Sequence, residues 1–237
     1  MKYLKRFWLL YLITAAVFIT ISLAGNDAIT TMAEGSEIDR EVIFIIDAGH
    51  GGEDGGAVSC SGEKESKINL EIATRLNDLL HLLGRETLML RTEDVSLHTE
   101  GKTIGARKTS DLRERVRIVN ETENGVLISI HQNFFAQSQY SGAQMFYNEV
   151  DFAKDLAQSL QEHFVSTINK GSNRQIKRVD GIYLMEHIDK PGVLVECGFL
   201  SNAQEEAKLR SEEYQKKICC VIASTLCAAG LDWQTND

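Results

Sequence analysis

Residues 42–52 read VIFIIDAGHGG, and they give the first indication of the fold. Its apolar, largely β-branched start is typical of a strand that is covered on both faces. The strand leads into a glycine loop that carries His50, and the glycines let the backbone and a bulky ligand come close together. Because α/β proteins bind ligands where strands end, we expect His50 to lie in a functional site.

Two other interpretations apply to the same loop. It could hold a phosphate group, but it has neither the lysine nor the glycine spacing of the known phosphate-binding loops. It could also be a turn in which the histidine has no function, and residues 42–52 alone do not exclude this.

Farther along the chain, short apolar runs alternate with helical patterns. Strands are predicted at 42–46, 87–91, 126–131, 143–147, 182–185 and 193–197. Apolar residues at three- and four-residue steps predict helices over 68–83, 112–119, 151–170 and 212–229. This alternation predicts an α/β layered domain with a largely parallel or mixed sheet.

The first 24 residues differ from the rest of the chain. Three positive charges in residues 2–6 precede residues 7–23, which carry no charge. This pattern predicts a secretory signal peptide, and an uncleaved membrane anchor that uses residues 7–23 is the alternative. Residues 25–40 predict a linker, residues 41–231 a globular domain and residues 232–237 a tail. Both interpretations of the first segment place the domain outside the cytoplasm.

The chain is acidic, with a net charge of −9 that becomes −12 if residues 1–24 are removed. An acidic exported domain is a poor candidate for binding nucleic acid, and its charge does not attract it to anionic membranes. Its five cysteines are an odd number without a CxxC pair, which argues against a disulfide framework. Cys219, Cys220 and Cys227 share one apolar helical stretch, so we expect them to be buried in the core.

A second apolar strand also ends in a histidine, because residues 126–133 read VLISIHQN. The carboxyl ends of neighbouring strands lie close together, so His50 and His131 could bind the same metal ion. Neutral imidazole is the nitrogen ligand that zinc favours in proteins. The pair therefore predicts a zinc site.

A catalytic zinc usually has three protein ligands and one open position. The candidates for the third ligand are Glu63 in the loop, Glu65 just before the helix and Glu71 inside the helix. Spacing alone does not decide between them, and any of them could instead be a carboxylate that stabilises the start of the helix.

Residues 191–202 read PGVLVECGFLSN, and Glu196 closes an apolar run. A carboxylate in that position is costly unless it is paired or functional. Beside a metal-activated water it would act as a general base, and a buried salt bridge is the alternative.

Further polar residues near the predicted strand ends are candidates for substrate binding. They are Arg91, Arg115 and Asn133, although an exposed helix face is the favoured interpretation for Arg115. The other histidines do not end strands, and we interpret them as surface or structural residues: His81, His98, His163 and His187.

Together, these motifs resemble the zinc-dependent N-acetylmuramoyl-L-alanine amidases of type 3. The resemblance covers residues 42–231. It rests on DAGHGG with His50, ESKINL with Glu65, SIHQN with His131, the helix at 112–120 and VECGFLSN with Glu196. Ser66 stands where the family pattern has lysine.

The resemblance implies one Zn²⁺ held by His50, Glu65 and His131, with Glu196 as the general base. It also implies a single α/β domain with a twisted, mostly six-stranded mixed sheet. The reaction would be hydrolysis of the amide between the lactyl group of N-acetylmuramic acid and L-alanine in peptidoglycan. Alternatives are another exported zinc peptidase or deacetylase, or a wall-binding module without activity.

The layout resembles the sporulation and germination subgroup, which removes peptides for muramic δ-lactam formation in spore cortex. Some relatives block their own zinc with a helix after the third ligand's strand, but residues 132–141 are too few for such a plug. The chain also has no wall-binding repeat. We therefore expect low activity alone and activation by a separate exported protein.

Overall fold

The computed structural model describes residues 42–229, so the predicted signal segment, linker and tail lie outside the described residues. The described chain contains six strands and six helices. In order they are β1 (Ile43–Ala48), α1 (Glu65–Leu82), β2 (Thr87–Met89), α2 (Ile104–Glu121), β3 (Gly125–Asn133), β4 (Gln144–Tyr147), α3 (Ala153–Thr167), β5 (Lys177–Arg178), α4 (Tyr183–His187), β6 (Gly192–Phe199), α5 (Ala203–Leu209) and α6 (Glu212–Ala229). Over residues 42–229, no helix is both long and apolar enough to cross a membrane.

All six strands form one sheet in the order β2-β1-β3-β6-β4-β5. The strands β2, β1, β3 and β6 are parallel, whereas β4 runs antiparallel to β6. The α/β fold with a six-stranded mixed sheet is thus confirmed. The carboxyl ends of β1, β3 and β6 share one edge of the sheet with the start of β4.

Each face of the sheet is covered by helices. Phe44 and Ile46 face α1, α3 and α6, whereas Ile45, Leu127 and Leu194 belong to the core on the side of α2 and α4. Side chains alternate between faces along a strand. The second face therefore changes from apolar to polar toward the carboxyl edge, where it presents Asp47, Ser129, His131 and Glu196.

One predicted strand is wrong. Residues 182–185 were expected to extend, but they belong to the short helix α4, and the sixth strand is β5. A short apolar run fits a buried helix turn as well as a strand. Here Gly181, with φ of 72°, turns the chain, and its N–H donates to the carboxylate of Glu186 at 2.6 Å. Leu184 and Met185 are then buried in the core beside β6.

Helices differ from the expectations in two further places. Helix α5 was not predicted, although Asn202 caps it by accepting hydrogen bonds from the N–H groups of Gln204 and Glu205. On α6, Cys219 is buried as predicted but its neighbour Cys220 is exposed. Consecutive helical residues point in directions about 100° apart, so only one of the two can face the core.

Candidate metal centre

Three of the predicted residues converge at the carboxyl edge of the sheet. His50 follows β1, Glu65 begins α1 and His131 lies near the end of β3. Their candidate ligand atoms all lie within 4.8 Å of one another. Glu65 is the first residue of α1 rather than the residue before it, and this start of the helix directs its carboxylate toward both histidines.

The ring of His50 is fixed from both sides. The residue has φ of 62°, in the left-handed region, which turns the chain sharply after β1. Nδ1 lies 3.0 Å from Oδ2 of Asp54, and Nε2 lies 3.3 Å from Oε2 of Glu65. Burial alone would lower the pKa of His50, but the hydrogen bonds to these two carboxylates outweigh it and raise the pKa above its usual value.

Glu65 is buried and fully bonded. Oε2 accepts from the N–H of Ala57 at 2.9 Å, and Oε1 accepts from the N–H of Gln132 at 3.1 Å and from the side chain of Asn69 at 3.2 Å. Nδ1 of His131 lies 3.0 Å from the same Oε1. Burial would raise the pKa of Glu65, but the hydrogen bonds with the histidines prevail and hold the pKa well below its usual range. The side chain is therefore an anion.

Two glycines make room for this cluster. A Cβ on Gly49 would lie 2.1 Å from Nε2 of His131, so the imidazole packs directly against the backbone after β1. A Cβ on Gly56, which has φ of +67°, would lie 2.6 Å from both Oε2 of Glu65 and the ring of His50. The glycines of the loop are thus required by close packing around the three side chains.

Glu196 lies beside this cluster. It pairs directly with His131 in the parallel register of β3 and β6, so the two side chains share one face of the sheet. Its Oε2 atom is buried and has no hydrogen-bond partner among the described residues. Burial raises the pKa of the Glu196 carboxyl to about 7, and Glu65 adds to this effect while the two histidines oppose it. A buried carboxyl oxygen without a partner indicates a place for a ligand or a reacting group.

The two arginines do not occupy the positions expected for substrate binding. Arg115 was predicted on an exposed helix face, which is wrong, because it is 2% exposed. Its guanidinium bonds to Asp47, to Asp111 at 2.7 Å and to the backbone carbonyl of His50 at 2.8 Å. These contacts occupy its nitrogens and hold the loop of His50 against α2. The guanidinium of Arg115 is therefore not free to bind a substrate carboxylate, although the sequence had suggested that role.

Arg91 is also buried, at 3% exposed. It donates to the carbonyls of Ala48, Gly49 and Ser66 at 2.7, 3.1 and 2.8 Å. Since its nitrogens bond to backbone carbonyls, Arg91 ties β1 to the start of α1 instead of lining an open rim. Ser66, which departs from the family pattern, is fully buried at this junction.

Of the remaining predicted residues, one lies near the cluster and the others lie outside it. Asn133 is partly buried at the end of β3, two residues after His131, and its role in substrate binding stays a prediction. Glu63 forms an ion pair with Lys67 at 3.0 Å and Glu71 bonds to Gln215 at 2.9 Å, so neither joins the cluster. The four other histidines lie outside the cluster, which fits their interpretation as surface or structural residues.

Sequence reasoning missed two supporting side chains, Asp54 and Asn69. Asn69 is fully buried and joins Gly49, Glu65 and Gln132 through hydrogen bonds of 3.2 Å. Its position four residues after Glu65 on α1 was a usable signal, because residues i and i+4 share one face of a helix. Asp54 had no such signal, since its contact with His50 depends on the path of the loop.

The residues present fit a catalytic zinc ion. Two imidazole nitrogens and one carboxylate are a donor set that zinc takes in hydrolytic enzymes. The carboxylate of Asp54 on the far side of His50 is the outer partner that such a ligand commonly has. The orphaned Oε2 of Glu196 lies next to this set, where a water molecule would need a base.

Comparison with known proteins gives one consistent result. Residues 44–228 match the Amidase_3 family, described as N-acetylmuramoyl-L-alanine amidase. The germination-specific N-acetylmuramoyl-L-alanine amidase of Bacillus subtilis is 40% identical over 184 residues, which cover 76% of each chain.

Solved structures agree with this match. The CwlD amidase from Clostridioides difficile, in complex with the GerS lipoprotein, superposes with a TM-score of 0.76 at 37% identity and covers 81% of this chain and 100% of that one. An N-acetylmuramoyl-L-alanine amidase from Clostridium difficile 630 gives a TM-score of 0.71 at 27% identity, over 82% and 99% of the two chains. The match over residues 44–228 shows that this chain belongs to the Amidase_3 family of N-acetylmuramoyl-L-alanine amidases.

Proposed function

We propose that this protein is a zinc-dependent enzyme that hydrolyses the amide between the lactyl group of N-acetylmuramic acid and L-alanine in peptidoglycan. One observation carries the proposal. His50, Glu65 and His131 converge within 4.8 Å, and the buried Oε2 of Glu196 lies beside them without a partner. A zinc peptidase or deacetylase could use similar groups, but family membership favours the amidase.

In this proposal His50, Glu65 and His131 hold the zinc, which when bound polarises the substrate carbonyl and makes water more acidic. Asp54 keeps Nε2 of His50 directed at the site, and Asn69 orients the carboxylate of Glu65. Glu196 takes a proton from the attacking water at Oε2 and returns it to the alanine nitrogen as the amide breaks. The products are a muramic acid carboxylate and a peptide with a free amino terminus.

The direct test is mass spectrometry of purified peptidoglycan after incubation with the zinc-loaded protein. We expect new muramyl carboxylates together with peptides that begin with alanine, and no products after metal removal with a chelator. A cut inside the peptide would assign the site to a peptidase, and loss of acetyl groups would assign it to a deacetylase. Either result would overturn the proposal.

We propose further that the substrate is spore-cortex peptidoglycan, from which peptide removal precedes muramic δ-lactam formation. Support comes from the germination-specific amidase of B. subtilis, to which this chain is 40% identical. Analysis of cortex fragments from spores that lack this protein tests the role. We expect δ-lactam to be absent, and normal δ-lactam content would contradict the role.

We also propose that a separate exported protein activates this amidase, because within residues 42–229 we find no segment that would regulate the site by covering it. Between β3 and β4 the described chain forms no helix, which supports the expectation that the protein does not block its own site. A similar amidase, CwlD, was solved in complex with a lipoprotein, GerS. We expect the purified protein alone to digest peptidoglycan slowly even with excess zinc. Fast and complete digestion by the lone protein would show that no activator is needed.

We also propose that residues 1–24 export the protein and either leave as a signal peptide or remain as an anchor. The apolar segment 7–23 after three positive charges supports this. Fractionation of cells should find the domain outside the cytoplasmic membrane and should find the chain without residues 1–24 inside. An unchanged location after deletion would refute export by this segment.

A further inference from the structure

A cleft of about 590 Å³ opens at the same edge of the sheet as the candidate metal centre. The segment before β4 and the segment after α3 form its walls, and α5 contributes from a third side. Three basic side chains line it, and they are Lys170, Arg174 and Lys208. Such a group is notable in a chain with a net charge of −9.

Arg174 is held in a defined position within this cleft. Its Nε donates to the carbonyl of Ser141 at 2.7 Å, and Nη1 donates to the side-chain oxygen of Gln144 at 3.1 Å. The guanidinium lies over the ring of Phe199, 4.6 Å from its centroid. Over residues 42–229, Arg174 makes no ion pair with a carboxylate, so its charge is not neutralised by the protein.

One carboxylate also lines the cleft, but its contacts are with the backbone. Oε2 of Glu205 accepts from the N–H groups of Gly142 at 2.7 Å and Phe199 at 3.2 Å. Glu205 is 7% exposed, so it serves to fix the cleft wall. The charge that the cleft presents to a ligand is therefore positive.

A hydrogen bond from Arg174 connects the cleft to the pair of strands that carries Glu196. Gln144, which accepts the hydrogen bond from Arg174, is the direct antiparallel partner of Glu196. Paired residues of neighbouring strands point to the same face of a sheet. Arg174 therefore contacts the side chain that is adjacent to Glu196, on the face that also carries His131.

We propose that this cleft binds a carboxylate on the peptide part of the substrate, with Arg174 as the specificity-determining residue. The inference rests on the proposed amidase function. A peptide residue spans at most about 3.6 Å, so the second and third peptide residues reach up to roughly 7–11 Å from the cleaved amide. Neighbouring strands lie about 4.8 Å apart, so an extended peptide of two or three residues is long enough to reach from Glu196 past Gln144 to Arg174. A guanidinium matches the planar carboxylate, which a lysine ammonium does not.

The test compares two synthetic muramyl tripeptides that differ only in the second peptide residue. Its α-carboxyl group is free in one substrate and is a carboxamide in the other. We expect wild type to prefer the carboxylate. Arg174→Gln should raise KM for the carboxylate substrate on the order of tenfold or more and leave kcat and the carboxamide substrate nearly unchanged. Arg113→Gln, which removes the same charge from the exposed face of α2, is the matched control and should change neither KM.

A second variant tests whether the higher KM of Arg174→Gln comes from lost carboxylate binding or from a disturbed cleft structure. Lys170→Gln breaks none of the hydrogen bonds that hold Arg174, and it should raise KM for the carboxylate substrate in the same direction by a smaller factor. If wild type and Arg174→Gln cut both substrates with the same KM, the cleft does not recognise the carboxylate and the inference is overturned while the amidase function stands.

A binding measurement keeps the two proposals distinct. Calorimetry with the free tripeptide L-Ala-γ-D-Glu-L-Lys needs no turnover, and its glutamyl carboxamide is the control ligand. We expect tighter binding of the acid form by wild type and loss of that difference in Arg174→Gln. If the protein cuts neither substrate but shows this difference, the amidase proposal fails and the carboxylate site stands. Equal binding of both forms by wild type would contradict the site.

Discussion

Oδ2 of Asp54 lies 3.0 Å from Nδ1 of His50, and this contact leaves Nε2 of the same ring facing Glu65. A carboxylate on one nitrogen fixes which nitrogen carries the proton, so the other is available to bind a metal. Lys108 holds the same oxygen of Asp54 at 2.9 Å from α2. The orientation of His50 thus depends on a residue that would not itself touch zinc.

The first prediction concerns this outer contact. Asp54→Ala should reduce zinc affinity about 10- to 100-fold, because His50 loses the partner that orients its ring. Competition with a chelator of known affinity measures the change. Asp78→Ala, an exposed residue on α1, is the control and should bind zinc as wild type does. Wild-type affinity in Asp54→Ala would contradict the role of this contact.

The second prediction separates two nearby carboxylates. Glu65→Gln should lose most bound zinc, because two histidines alone rarely hold a catalytic zinc tightly. Glu63→Gln is a matched control, since Glu63 forms an ion pair with Lys67 at the surface and lies outside the cluster, and it should keep its zinc. Elemental analysis of both proteins decides the ligand. The ligand choice is wrong if Glu63→Gln loses the metal and Glu65→Gln does not.

The third prediction concerns Arg115, which is buried with its partners Asp47 and Asp111. Arg115→Ala should lower the free energy of unfolding by about 3–5 kcal/mol, because it leaves the carboxylate of Asp47 buried without its cation. Arg113→Ala, on the exposed face of the same helix, should change it by less than about 0.5 kcal/mol. Urea unfolding of the metal-free proteins measures both. Equal stability of the two variants would show that the buried pair contributes nothing.

The fourth prediction is a pH dependence of stability. Burial alone would raise the pKa of Asp47, but Arg115 and the hydroxyl of Ser129 outweigh it and hold the pKa below its usual value. A lowered pKa in the folded state stabilises the protein above the ordinary aspartate pKa of about 3.9, and the contribution disappears as pH falls further.

The stability difference between wild type and Asp47→Asn should therefore stay constant from neutral pH to about pH 5 and shrink below about pH 4. Urea unfolding at several pH values measures this difference. A difference that grows as the pH falls would contradict the lowered pKa.

The sequence predicts the centre of the site because a simple rule applies to it. His50, His131 and Glu196 each end or follow an apolar strand, and parallel strands bring such ends to one edge. Glu65 needed the family resemblance, because its place at the start of α1 does not by itself distinguish it from Glu63. The fold was predicted for the same reason. At residues 182–185 and in the seven-residue helix α5 the prediction failed, because such short segments have no period long enough to separate helix from strand or loop.

The supporting contacts could not be predicted from local pattern. Arg115 and Asp47 lie 68 positions apart, and only the packing of α2 against β1 brings them together. Arg115 therefore looked like a charge on an exposed helix face, although its guanidinium is the buried centre of an ion-pair network. The prediction of Arg91 as a substrate-binding residue failed for the same reason, because its bonds to backbone carbonyls depend on how the loop after β1 turns.

The most direct test of the account measures zinc content and amidase turnover on the same preparations of wild type, Glu196→Gln and His131→Ala. Glu196→Gln should hold as much zinc as wild type and lose turnover on the order of a hundredfold or more, because it keeps the ligands and lacks the base. His131→Ala should lose most zinc and activity together. Full zinc in His131→Ala, or wild-type turnover in Glu196→Gln, would contradict the account.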